Sequence, residues 1–118
     1  MLKPVAIAAA LVLSAAPALA HPRLVDASPA PDARVAARPV QLRLVFSEPV
    51  FPAFSGVVLK DAAGKAVATG PAALDPADKR VLVVPLKGPL AKGTWTVEWR
   101  AVAGDTHRIT GKYQFTVS

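Results

Sequence analysis

The chain has 118 residues, with 14 Lys or Arg against 8 Asp or Glu and a formal net charge of +6. That length allows one small domain around one core, and the basic residues stand singly, without the Lys/Arg block that a nucleic-acid surface would show. There is no cysteine, which excludes disulfide bracing, thiolate metal ligands and a thiol nucleophile.

Residues 1–20 have the layout of a secretory signal peptide. Lys3 supplies the positive start, VAIAAALVL (5–13) the short apolar stretch, and Ala18-Leu19-Ala20 the cleavage site. A rival Ala16-Pro17-Ala18 site would leave Leu19 first, but cutting after Ala16 would place Pro17 directly behind the scissile bond. The apolar run is shorter than the roughly 20 residues that span a bilayer, so the expected product is an exported, periplasmic domain, residues 21–118, that is not membrane-embedded. Its balance falls from +6 to +5 once Lys3 is removed, and since Met1 is the only methionine it contains no sulfur.

From there the pattern is one of period two. VQLRLVF (40–46) places Val40, Leu42, Leu44 and Phe46 on one face. GVVLK and KAVAT flank DAAG (61–64), a hairpin signal. In GPAALDPAD (70–78) a joint is expected, with an irregular turn or short helix at DPAD, followed by the apolar strand RVLVVPL (80–86). TWTVEWRAV (94–102) turns Trp95, Val97, Trp99 and Ala101 inward, and ITGKYQFTV (109–117) does the same with Ile109, Tyr113, Phe115 and Val117. About seven short strands separated by Pro-rich joints predict an all-β, Greek-key antiparallel β-sandwich or barrel of Ig-like form, and a monomer.

Chemistry has few residues to work with. The only histidines are His21, the first residue after the predicted cut, and His107, in VAGDTHRITG (102–111). A terminal histidine offers its α-amine and its Nδ1 to one metal, and a second imidazole completes a three-nitrogen brace. Asp105 stands two residues before His107; in extended chain the two would project from one face and could meet on one ion. Three nitrogens and a carboxylate oxygen suit tetragonal Cu(II), whereas Cu(I) would favour sulfur. Pro22 has no N–H, so the nitrogen between the first two residues cannot deprotonate onto copper, which leaves the amine and imidazole of His21 as the chelate. Other readings stand beside this one: a histidine at a cleavage site by chance, Asp105 as a turn residue next to Gly104, His107 as a strand-edge surface residue.

HPRLVDASPAPDARV, LRLVFSEPV, FSGVVLKDAAG and GTWTVEWRAVAGDTHRITGKYQFTV resemble the CopC family of periplasmic copper-binding proteins, over nearly all of residues 21–118. The resemblance implies a small Greek-key domain holding one Cu(II) per chain through His21, Asp105 and His107. It also matches Glu48 to a family glutamate near the site, a position that otherwise reads as a strand-end surface acid. Some family members carry a methionine-rich Cu(I) site; the stretch 51–80 here has neither methionine nor histidine, so the resemblance is to the Cu(II)-only subgroup. Copper homeostasis or resistance is the implied role, with a CopD-like inner-membrane copper transport protein as the implied partner, and no catalytic activity. Two other functions are compatible with the pattern, a small copper-dependent monooxygenase-like enzyme and a metal-free Ig-like interaction module.

Overall fold

The period-two runs become strands because each can bury one row of side chains and solvate the other. The structure, a computed structural model, describes residues 22–104 and 106–118. Its strands are β1 (Leu24–Ser28), β2 (Arg34–Val35), β3 (Gln41–Phe46), β4 (Gly56–Lys60), β5 (Ala66–Val67), β6 (Ala73–Asp75), β7 (Asp78–Pro85), β8 (Gly93–Val102) and β9 (Arg108–Val117). They form two sheets, ordered β1-β3-β7-β6 and β2-β9-β8-β4-β5. The chain changes sheet at every joint except the hairpins β4–β5, β6–β7 and β8–β9. The result is the expected Greek-key β-sandwich. No helix among the described residues is long and apolar enough to cross a membrane.

The core lies between the inner faces. Leu42, Leu44 and Phe46 of β3 and Val81, Leu82 and Val84 of β7 are buried against Trp95, Val97, Trp99 and Ala101 of β8 and Tyr113, Phe115 and Val117 of β9. Phe46 meets Trp99 edge-on across the two sheets, with ring centroids 5.4 Å apart and planes at 65°, a geometry worth about 1 kcal/mol beyond area burial. Trp99 pairs in register with Gly111. A Cβ on Gly111 would stand 2.4 Å from the indole Cζ2, so the glycine of ITG makes room for the tryptophan.

The hairpin at DAAG forms as expected. Asp61 Oδ1 accepts the N–H groups of Ala63 and Lys65 at 3.0 and 2.9 Å, and Gly64 takes the left-handed conformation at φ +81°. Three details differ from expectation. Val40 is 76% exposed because β3 begins only after the bend that follows Pro39. The joint 70–78 contains a strand of its own, β6, and DPAD is the tight turn of the β6–β7 hairpin, with Asp75 Oδ1 accepting the Ala77 N–H at 2.8 Å. The two-residue strand β2 runs parallel to the end of β9. These short elements raise the expected seven strands to nine.

Candidate metal centre

The start of the described chain is tied down. Pro22 is fully buried. The Arg23 N–H donates to Ser47 Oγ at 2.9 Å, and the Ser47 N–H donates back to the Arg23 carbonyl at 2.8 Å. Residue 22 is therefore held against the turn that leaves β3, the turn that carries the half-buried Glu48.

The same turn continues to the end of β8. Val50 forms a bridge with Ala103, the Phe51 N–H donates to the Val102 carbonyl at 2.8 Å, and the Val102 N–H donates to Ser55 Oγ at 3.1 Å. Ser55 is the only buried polar residue among those described, and this bond satisfies it. Segment 47–55 thus laces the beginning of β1 to the loop between β8 and β9. That loop carries His107, which is exposed and stands immediately before Arg108, the first residue of β9.

The loop is not extended. The Thr106 N–H donates to the Ala103 carbonyl at 2.9 Å, closing a turn over 103–106. Thr106 itself lies at φ +62°, an outlier for a β-branched residue. Strand alternation between residues 105 and 107 presupposes extended backbone at Thr106, and Thr106 is left-handed. Strained residues of this kind persist where surrounding structure imposes them, and they concentrate at functional sites.

Of the predicted ligands, His107 is described; His21 and Asp105 lie outside the described residues. Among the described residues no three His, Cys, Asp or Glu side chains come together in a way that could hold a metal. What the described part provides is a scaffold: Pro22, Glu48 and His107 are brought to one end of the sandwich by bonds that run through Ser47, Val50 and Ala103. Ser47, Ser55 and Thr106 were not singled out by the sequence pattern. The first two have a signal only in hindsight, as hydroxyls flanking the Pro-rich stretch EPVFPAF, and a left-handed threonine has none.

The architecture defines a class, a small two-sheet Greek-key domain with the described candidate ligand, His107, on a loop at one end. The comparisons narrow it. Residues 24–118 match the CopC domain, and the chain belongs to the CopC family. It is 40% identical over 114 residues to copper resistance protein C of Pseudomonas syringae pv. tomato, covering 92% of this chain and 90% of that one. The crystal structure of PcoC, a methionine-rich copper resistance protein from Escherichia coli, superposes with a TM-score of 0.75 at 41% identity, covering 84% of this chain and all of that one. The copper transport protein CutJ of Bacillus subtilis is 29% identical over 98 residues, which are 83% of this chain but only 18% of CutJ.

Proposed function

We propose that this protein binds one Cu(II) in the periplasm through the amine and imidazole of His21, the Asp105 carboxylate and the His107 imidazole, and hands it to a CopD-like inner-membrane partner in copper homeostasis or resistance. The observation that carries the reading is the lacing of Pro22 and Arg23, through segment 47–55, to the loop that bears His107. Without it, ligands 84 or more residues apart in sequence would have no reason to meet. The relatives named for copper resistance and copper transport support the role.

The ligand chemistry follows from the residue types. The amine and both imidazoles bind only when deprotonated, so acidification should weaken binding. Nitrogen and carboxylate donors favour Cu(II) over Cu(I). PcoC, a methionine-rich relative, differs here from a chain whose only methionine is Met1, which supports a Cu(II)-only site. In this reading Glu48, half-buried on the turn that also holds Arg23, supports the bound ion rather than ligating it.

The test is a competitive Cu(II) titration with EPR on the chain beginning at His21. The comparisons are the same chain with one alanine added in front and the His107→Ala variant. Tight one-to-one binding with a nitrogen-rich tetragonal spectrum is expected, and both changes should weaken it severely. Equal binding by all three proteins would remove the brace.

A further inference from the structure

Five of the seven aromatic residues are buried: Phe46, Trp95, Trp99, Tyr113 and Phe115. The other two, Phe51 and Phe54, are 46% and 64% exposed. Both stand on the 3-10 turn over Pro52–Phe54 and its preceding residue. That turn is not loose. The Phe51 N–H is bonded to Val102, the Phe54 N–H donates to the Phe51 carbonyl at 3.1 Å, and Ser55 Oγ receives the Val102 N–H. A turn fixed to a core strand therefore displays two phenyl rings to water, although burying each would be worth about 2 kcal/mol. Scattered apolar residues need no explanation, but adjacent large ones on a rigid element at a binding end do.

Between this turn and the ends of β8 and β9 lies a groove of about 510 Å³, lined by Phe51, Ala53, Phe54, Val102 and Thr106 together with Arg100 and Arg108. Thr106 directly precedes His107, so the groove opens beside the ligand loop. Its lining is apolar with two guanidinium groups and, among the described residues, no carboxylate. Neither arginine is ion-paired with a described acid. Glu98, the acid next along β8 on the same face, is held by Lys60 at 3.0 Å. The Arg100 guanidinium rests over Gly56, where a Cβ would come within 2.9 Å of it, and so stays on the outer face of the sheet.

We infer that this groove docks the protein with which copper is exchanged, and that the docking surface of that partner presents an apolar side chain flanked by Asp or Glu carboxylates. The inference rests on the copper-binding reading above. Apolar floor and cationic flanks define the complementary surface by charge and shape. A second copy of the chain would bring arginine against arginine. A bilayer would fill a concave groove poorly and offers no ligand to which the ion could pass.

The test uses the chain beginning at His21, loaded with Cu(II), and a CopD-like membrane protein purified in detergent as the probe. Three variants are compared with wild type: Phe54→Ala, Arg100→Glu with Arg108→Glu, and Lys65→Glu with Lys87→Glu. The last pair makes the same charge change at the opposite end of the sandwich. EPR of each loaded variant comes first, and an unchanged Cu(II) signal is expected. Phe54→Ala should then raise the Kd about tenfold, the arginine pair about a hundredfold, and the lysine pair by no more than about twofold.

Wild-type-like binding by the arginine pair, or equal loss by the lysine pair, would overturn the groove as the docking surface. A wild-type chain that shows its copper signal but does not bind the probe would overturn the inference and leave the copper site standing. Loss of the copper signal in wild type would instead remove the reading on which it rests. Binding to phosphatidylglycerol vesicles that is abolished by the same variants, with no binding to the protein probe, would overturn the inference in favour of a lipid surface.

Discussion

Replacing Gly111 with alanine tests the link between core and site most directly. The new Cβ would stand 2.4, 2.6 and 2.9 Å from Cζ2, Cε2 and Nε1 of Trp99, against a comfortable carbon–carbon separation of about 3.5–4.0 Å. The indole has little freedom to retreat, since Phe46 stands edge-on to it at 5.4 Å. Nor can β9 easily move, because its pairing with β8 runs unbroken from Gly93↔Val117 to Val102↔Arg108. Overpacking of this kind costs about 3 kcal/mol at its upper end. Alanine's advantage over glycine within a strand returns about 0.5–1 kcal/mol. The clash wins, and the net loss is about 2 kcal/mol. For a domain of this size that lowers the Tm by roughly 10–15 °C. Thermal and urea melts of Gly111→Ala, Trp99→Phe and the double variant provide the assay. The smaller phenyl ring should restore part of the loss caused by the alanine, giving a favourable coupling in the cycle. Gly88→Ala is the control, because no atom lies within 4 Å of its Cβ position, and it should be neutral or slightly stabilising. If Gly111→Ala melts with wild type, or if Trp99→Phe fails to relieve it, the packing argument is wrong.

The Tyr113 hydroxyl is buried without a hydrogen-bond partner, so Tyr113→Phe should stabilise the fold by about 1 kcal/mol; a lower melting temperature for the variant would contradict this. Burial pushes the Tyr113 pKa upward. The native state then keeps a proton that the unfolded chain releases above its reference value of about 10, so wild-type stability is complete below that pH and declines above it. Tyr113→Phe should flatten the decline in urea melts between pH 9 and 11. Hydrogen bonding from Arg43, at 2.6 Å, and from the Ala77 N–H lowers the Asp75 pKa. Its stabilising contribution is therefore present above the unfolded value of about 3.9 and lost as the pH falls further, and Asp75→Asn should lose less stability than wild type between pH 5 and 2. Thr106→Asn introduces a residue tolerant of φ +62° and should raise the metal-free Tm by the equivalent of about 1 kcal/mol; a fall would mean that the threonine is not strained by its turn.

Period-two patterning was enough to read the long strands, because each buries a full row of side chains and the pattern repeats over several residues. β8 and β9 show this most plainly: the inward residues named from alternation, Trp95 to Ala101 and Tyr113 to Val117, are buried, and Ile109 is partly so. The short elements left no such trace. β2 is two residues and β6 is three, too few to display a period, and they exist because neighbouring strands offer them hydrogen bonds, which is tertiary information. β5, also two residues, was legible only as the second arm of the DAAG hairpin. Val40 shows the complementary error: it fits the alternation, yet it precedes the first paired residue of β3 and stays in water.

The candidate site was legible as a set of residue types, not as an arrangement. His107 could be singled out because histidine is scarce here and an aspartate stands two residues before it. How a histidine near position 107 could approach the start of the chain was invisible, since that depends on Ser47 bonding Arg23 and Val50 bridging Ala103, contacts between residues with no chemical distinction of their own. The extended backbone that the strand-face reading of Asp105 and His107 presupposes is missing at Thr106, and that carries information. A loop selected only to join β8 to β9 has little reason to hold a β-branched residue in the left-handed region, because glycine or asparagine would do so at about 1 kcal/mol less cost. A loop that must set the backbone ahead of the following imidazole does have a reason: Thr106, directly before His107, is held at φ +62° with its N–H on the Ala103 carbonyl. The position at which strand alternation breaks is thus also the residue directly before the described candidate ligand.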